Sequence, residues 1–396
     1  MKFSVLIPTR NRLEFLKYAI HSVLNQDYDD WEIIIFDNFS EQNISDYIKS
    51  LNDKRVKYFR SSSFVPVTDN WNNALEKSSG EYVIMLGDDD CLMKNYFSTI
   101  YNLIKTYSSP DFIYTSGFIY AYPGVMPGSP EGFLNAFGNA SFLQNKKSPF
   151  WLSKQDALKL VKDSLNFKVK FAYNMQYSII NKKLIEKLSE KGEFFQSPYP
   201  DYYATTALML YADKILAYPK PIVTVGITPK SFGYYYFNNI EEQGVDLLNN
   251  DQSLKLDPLK KPKTYPGTTM NTCWMLAMQK IKDNFKDKFK LTISNRRYLL
   301  LQLFEIYKNW VLKISSRNQR MEIWKIMNWQ EKIFYALPYH IFFTMISFTP
   351  KLIKRKSISM LFKLIGSHPK FDSLKIDQKY SNIQQVFEKE TSNLYN

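Results

Sequence analysis

Short, unbroken apolar runs alternate with amphipathic stretches along the first part of the chain. Phe3–Ile7, Trp31–Phe36 and Tyr82–Leu86 are continuous in hydrophobic residues, the pattern of parallel-sheet strands buried on both faces. Between the first two, Leu13, Leu16, Ile20 and Val23/Leu24 recur at helical spacing. Asn11 is placed as the N-cap, with Glu14 three residues on. A helical segment near Ile44–Leu51 and a strand near Val56–Arg60 follow, so residues 1–110 read as an α/β unit with a mostly parallel sheet.

Beyond it the pattern loosens. Tyr114–Phe150 holds prolines, glycines and asparagines and reads as a long mobile excursion. Gln155–Leu165 and Lys182–Lys191 look helical, with a strand near Gln176–Ile180 between them, and a helix through Ala207–Tyr211 precedes a strand within Ile215–Thr228. Asn249–Pro266 reads as a polar linker, and Met270–Phe285 and Tyr298–Ile314 as helices. The expected division is an α/β domain over 1–235, with halves 1–110 and 111–235, and a helical, basic domain over 236–396.

The polar residues at the strand ends carry the candidate chemistry. Ligands of open parallel sheets bind outside the carboxyl ends of the strands. Those ends hold Pro8, Thr9, Arg10, Asn11 and Arg12, then Asp37 and Asn38, then Asp88, Asp89 and Asp90. Three adjacent carboxylates repel one another, and a divalent cation shared with phosphate oxygens relieves this most simply. The competing reading is a solvated acidic turn. Arg10 and Arg12 suit phosphates, and Asp37 or Asn38 suits a base edge. The chain has neither a Walker loop nor the dinucleotide glycine fingerprint, which excludes the common kinase and dehydrogenase frames. Asp201, ahead of a helix, suits an N-cap. Lys230 and Ser231 could meet a diphosphate, and Tyr234–Phe237 either stack on a sugar or form a core strand.

Composition narrows the partners. The 396 residues are 45% hydrophobic and 16% aromatic, with a formal charge of +14, which points to nucleotide phosphates, nucleic acid or a lipid surface. Cys91 and Cys273 have no metal-ligand spacing and are too few for a disulfide framework, which fits the cytoplasm. The N-terminal run is broken at Pro8 and does not read as a signal peptide. Residues 332–370 contain Lys and Arg but no acid, interleaved with aromatics. That is the signature of an anionic membrane surface contact on the inner face of the membrane, with a solvated face or a homodimer contact as the alternatives.

Taken in order, Ser4–Arg12, Ser22–Gln26, Glu32–Ser40 and the stretch from Asn72 through Gly80 to Asp90 resemble glycosyltransferase family 2. The resemblance implies a GT-A fold and a metal-dependent, inverting enzyme with manganese or magnesium and a nucleotide-diphosphate sugar, UDP or dTDP, as donor. The acceptor is expected to be a glycan or lipid-linked glycan of bacterial surface polysaccharide, the lipid carrier being suggested by the basic stretch 332–370 alone. By register the family's second acid falls on Asp89, the main expected ligand, with Asp90 beside it. Asp88 takes the variable position and Gly87 stands where the family has an acid. Asn38 replaces a base-contacting aspartate, Asn72 falls on an asparagine lining the donor site, and Asp201 on the catalytic base. No Gln-x-x-Arg-Trp follows, which argues against a processive synthase. The rival readings are a catalytically weak sugar-binding module and a nucleic-acid-binding protein; the family resemblance implies no nucleic acid.

Overall fold

The computed structural model describes residues 1–241, 243–244, 262–314, 318–365, 373–376 and 378–390. Strands β1 (Phe3–Thr9), β2 (Trp31–Asp37), β3 (Val56–Arg60) and β4 (Tyr82–Met85) are parallel and lie in the order β3-β2-β1-β4. Helices α1 (Leu13–Leu24), α2 (Ile44–Ser50) and α3 (Val67–Glu76) connect them. The apolar runs form strands because both faces are covered: Val5, Leu6, Ile33, Ile34, Ile35 and Ile84 are wholly buried. All three strands expected from those runs are present, and α1 buries Leu16, Ala19, Ile20 and Val23 along the expected face.

The start of α1 differs from expectation. Arg12, not Asn11, takes the cap position, and no side chain caps it. Asn11 lies at φ 54°, a left-handed conformation that asparagine tolerates, and its Oδ1 accepts from the Glu41 backbone N–H at 2.7 Å.

The next stretch comprises β5 (Cys91–Leu92), α4 (Tyr96–Thr106), β6 (Phe112–Ala121), β7 (Phe133–Phe137), β8 (Phe150–Leu152), α5 (Lys154–Leu165), β9 (Ser178–Asn181), α6 (Lys182–Ser189) and α7 (Pro200–Tyr211). β9 runs antiparallel between β4 and β6, and β7 is antiparallel to β6. The region expected as a mobile excursion therefore contributes three strands to the sheet. Buried Tyr114, Phe118, Tyr120 and Leu134 hold it there.

Strand β10 (Ile215–Ile227) decides where the site forms. It follows β6 in parallel with register shifts on either side of Pro221, then pairs antiparallel with β5 through Thr224 and Cys91. Proline donates no ladder hydrogen bond, which suits an irregular strand. The pairing lays Gly226 against the acidic turn. A Cβ at Gly226 would stand 2.0 Å from the Asp89 carbonyl oxygen, so only glycine permits the approach. After it, Phe232–Phe237 forms the short helix α8 rather than a strand.

The chain divides into two compact units: residues 1–160, 171–254 and 371–396, and residues 161–170 and 255–370. The expected boundary at 235 does not coincide with this division. A strand β11 (Ser373–Ile376) pairs antiparallel with β7, and the helix Ile383–Lys389 buries Ile383, Val386 and Phe387 in a cluster with Phe15, Phe118 and Tyr120. The C-terminal segment thus belongs to the α/β unit and not to the helical one. The second unit contains the helices Thr269–Phe285, Asn295–Val311, Leu337–Ser347 and Lys351–Ile365, with Phe304 stacked on Phe362 at 4.9 Å between ring centres. Most of the expected linker 249–266, and residues 366–370 of the basic stretch, lie outside the described residues.

Candidate active site

The turn after β4 places the three acids differently. Asp88 Oδ2 accepts from the Thr9 hydroxyl at 2.7 Å and Oδ1 from Arg12 Nη1 at 2.9 Å. Asp89 Oδ2 accepts from the Thr228 hydroxyl at 3.2 Å and from the Ser231 hydroxyl, and Arg12 Nη1 stands 3.6 Å from the same oxygen. Arg12 also donates to the Lys230 carbonyl, while Lys230 Nζ donates to the Asn11 carbonyl at 2.9 Å. Thr9, Arg12, Asp88, Asp89, Lys230 and Ser231, assigned from three separate stretches of sequence, therefore converge. Thr228 joins them because β10 returns to β5.

Burial opposes the charge on Arg12, but the fields of Asp88 and Asp89 more than offset it and hold the guanidinium firmly protonated. Burial pushes the Asp88 carboxyl up, with Arg12 opposing.

Asp90 departs from its expected role as a second metal ligand. Its Oδ2 accepts from the Gly87 N–H at 2.9 Å and from Gln176 Nε2 at 2.6 Å, and its Oδ1 from the Gly226 N–H at 2.8 Å. Burial, then the nearby Asp89 carboxylate, push it up to about 8. The side chain is turned inward as a clamp between the acidic turn and β10. Gly87 makes that turn sterically feasible, because a Cβ there would lie 2.4 Å from Asp90 Oδ2. Restoring the acid that the family places there, by Gly87→Asp, is expected to cost about 1–3 kcal/mol of stability through overpacking. Denaturant unfolding measures this, and an unchanged midpoint would contradict it.

Among the described residues no three acidic, His or Cys side chains are grouped to hold a metal. A divalent cation here would rely on one carboxylate plus phosphate oxygens and water, the arrangement magnesium tolerates. Asp89 fits that part: its side chain is 10% exposed, and Oδ1 has no hydrogen bond among the described residues.

The donor-site asparagines are occupied by backbone. Asn38 Nδ2 donates to the Val65 carbonyl at 2.8 Å and its Oδ1 accepts from the Val65 N–H at 2.9 Å. Its amide thus ties down the loop after β3 and is not free to read a base. Asp37 is equally engaged, by the Ser40 N–H at 2.9 Å and the Tyr58 hydroxyl at 2.7 Å. Pro8 is the β1 residue paired with Phe36, and Arg10 lies over the Phe64 ring at 3.7 Å. Asn72 lies inside α3 and makes the same two-bond pairing with Phe195, at 2.9 and 3.0 Å. With Thr68 donating to the Ser197 carbonyl at 2.7 Å, it fastens the loop that leads to α7.

Asp201 is the second residue of α7, after Tyr199 at the cap and Pro200 at the first position. The carboxylate is not the cap. Oδ1 accepts from the Tyr202 N–H at 3.0 Å, the residue's own N–H also faces the carboxylate, and no ion pair reaches it among the described residues. Burial pushes it up to about 7, the range in which a carboxylate works as a base at neutral pH. The ring of Tyr199 packs on Phe232 at 4.9 Å, so the head of α7 adjoins the segment that brings Ser231 to Asp89.

A family profile described as glycosyl transferase family 2 matches residues 4–145, from the start of β1 through the acidic turn and β7. These residues belong to glycosyltransferase family 2. The chain is a glycosyltransferase, and its mixed α/β sheet with flanking helices is the GT-A fold of that family. It is similar to the GalNAc(5)-diNAcBac-PP-undecaprenol beta-1,3-glucosyltransferase of Campylobacter jejuni, with 28% identity over 342 residues that cover 80% of this chain and 97% of the relative. It also resembles the putative colanic acid biosynthesis glycosyl transferase WcaA of Escherichia coli K12, with 31% identity over 135 residues, 32% of this chain and 48% of the relative. The solved structure of Staphylococcus aureus TarS 1–349 with UDP-GlcNAc aligns with TM-score 0.44 and 15% identity over 82% of this chain and 89% of that one.

Proposed function

We propose that this family 2 enzyme transfers a sugar from a nucleoside-diphosphate donor to a lipid-linked glycan, with a divalent cation and with inversion at the anomeric carbon. The observation that carries the reading is Asp201: a partly buried carboxylate with no ion pair among the described residues, raised to about 7, at the head of a helix that adjoins the segment bringing Ser231 to Asp89. A sugar hydroxyl is a weak nucleophile and needs its proton removed as it attacks. Asp201 takes that proton, the acceptor oxygen bonds to the anomeric carbon, and the bond from that carbon to the diphosphate oxygen breaks with its electron pair leaving on the diphosphate.

Arg12 and Lys230 supply positive charge toward the diphosphate, and the Thr228 and Ser231 hydroxyls orient Asp89. A cation on Asp89 would neutralise charge on the leaving group. The hydrogen bonds of Asp88 to Thr9 and Arg12 support a role in fixing Arg12. The lipid-linked acceptor is supported by the Campylobacter relative, whose substrate is undecaprenol-linked and whose length this chain almost wholly spans. No helix among the described residues is long and apolar enough to cross a membrane.

A thermal-unfolding screen of UDP, dTDP and GDP sugars with manganese tests the donor class, since a ligand at 100 times its Kd stabilises by about 2.7 kcal/mol. Raised unfolding temperature with one nucleotide series is expected. No shift with any of them would contradict the reading.

A further inference from the structure

The helical unit carries an apolar surface that its own packing does not use. In the helix Leu337–Ser347, Tyr339, Phe343 and Ile346 are buried and form its inward face. Leu337, Ile341, Met345 and the C-cap residue Phe348 recur at spacings of three and four on another face, exposed by 42%, 52%, 67% and 85%. A helix that is apolar on both an inward and an outward face is expected to have a partner. The next helix, Lys351–Ile365, repeats the arrangement: Ile358 is buried, while Leu352, Met360 and Leu364 are each at least 65% exposed.

Charge identifies the partner. From Lys332 to Ile365 the sequence has six Lys or Arg and no Asp or Glu, and Lys351, Arg355, Lys356 and Lys363 are exposed. In a two-fold contact with a second copy, such a surface would bring like charges together with no acid to balance them. The outward residues of Lys351–Ile365 are aliphatic or thioether side chains, which gain nothing by stacking on nucleic-acid bases. Apolar tips interleaved with Lys and Arg match the boundary between acyl chains and anionic headgroups.

We propose that the helices Leu337–Ser347 and Lys351–Ile365 lie in the surface of an anionic bilayer, with Ile341, Met345 and Phe348 inserted below the headgroups. The inference deepens the proposed lipid-linked acceptor by locating the membrane contact on these two helices.

Sedimentation of the full chain with phosphatidylglycerol/phosphatidylcholine vesicles, and with phosphatidylcholine alone, tests it. The parent is expected to bind the anionic vesicles with an affinity that falls as salt rises. Ile341→Glu with Met345→Glu is expected to weaken that binding at least tenfold, and its unfolding temperature should match the parent because both positions are exposed. Lys351→Ala with Arg355→Ala and Lys356→Ala is expected to flatten the salt dependence. Equal binding by parent and glutamate variant, no preference for phosphatidylglycerol, or no sedimentation would overturn the proposal. So would a parent dimer that the glutamate substitutions dissociate, since the surface would then serve a second copy. Nucleotide-sugar stabilisation, measured in parallel without vesicles, keeps the outcomes apart: its failure would strike the donor reading and leave the vesicle result standing.

Discussion

Asp201→Asn is expected to retain donor affinity and lose transfer by 10²–10⁴-fold, the effect of removing a general base. The amide keeps the size of the carboxylate and can still accept from the Tyr202 N–H, but it cannot take a proton. If the helix head were the residue's only role, the change would leave both stability and turnover nearly intact, because asparagine serves that position about as well as aspartate. Two further readouts separate the cases. With the carboxylate raised to about 7, kcat/KM should fall as pH drops below about 7, because protonated Asp201 cannot accept a proton.

Stability moves in the opposite sense. The native state holds this proton more tightly than the unfolded chain, whose carboxyl titrates near 3.8, so the ionised form costs stability that is fully expressed above about 7 and absent below 3.8. Asp201→Asn should therefore stabilise the fold at pH 8 by about 1–3 kcal/mol given partial solvation, seen as a higher unfolding temperature, and leave it unchanged at pH 3.5. A variant that turns over normally, or is destabilised at pH 8, would remove Asp201 from the chemistry.

Asp89→Ala is expected to reduce manganese-dependent affinity for the nucleotide diphosphate about 100-fold or more, roughly 3 kcal/mol, with the fold intact. The fold should tolerate it because the two hydroxyls that Asp89 accepts from, Thr228 and Ser231, stand 2.9 Å apart and can bond to each other. Removing one of three adjacent carboxylates also relieves repulsion felt by Asp90. Calorimetric titration with and without manganese measures the effect. Equal affinity in parent and variant would end the assignment of Asp89 as the cation's ligand.

The parallel half of the sheet was legible because Phe3–Ile7, Trp31–Phe36 and Tyr82–Leu86 are apolar on both faces, and only a covered strand reads that way. Their polar ends followed directly, and with them Thr9, Arg12, Asp88 and Asp89. The partners of those residues were harder to read. Thr228 reaches Asp89 only through a long-range pairing of β10 with a two-residue strand, which leaves no local pattern. The four residues of β11 are likewise too few to show a period, so the return of the C-terminal segment to the sheet was hidden.

Asn38 and Asn72 were read as ligand-facing amides, yet each satisfies a backbone N–H and C=O of a neighbouring loop. Sequence does not reveal which partner an amide takes. Three consecutive aspartates are also indistinguishable by type. The available signal was Gly87: a residue without a Cβ leaves room for Asp90 to turn beneath it.

The proposed mechanism is a single in-line displacement, with Asp201 on the acceptor side and the diphosphate leaving toward Arg12 and Asp89. The anomeric configuration of the product, read by proton NMR after transfer from an α-linked nucleotide sugar, tests that claim most directly. The expected product is β-linked; an α-linked product would contradict the mechanism even if Asp201 proved essential.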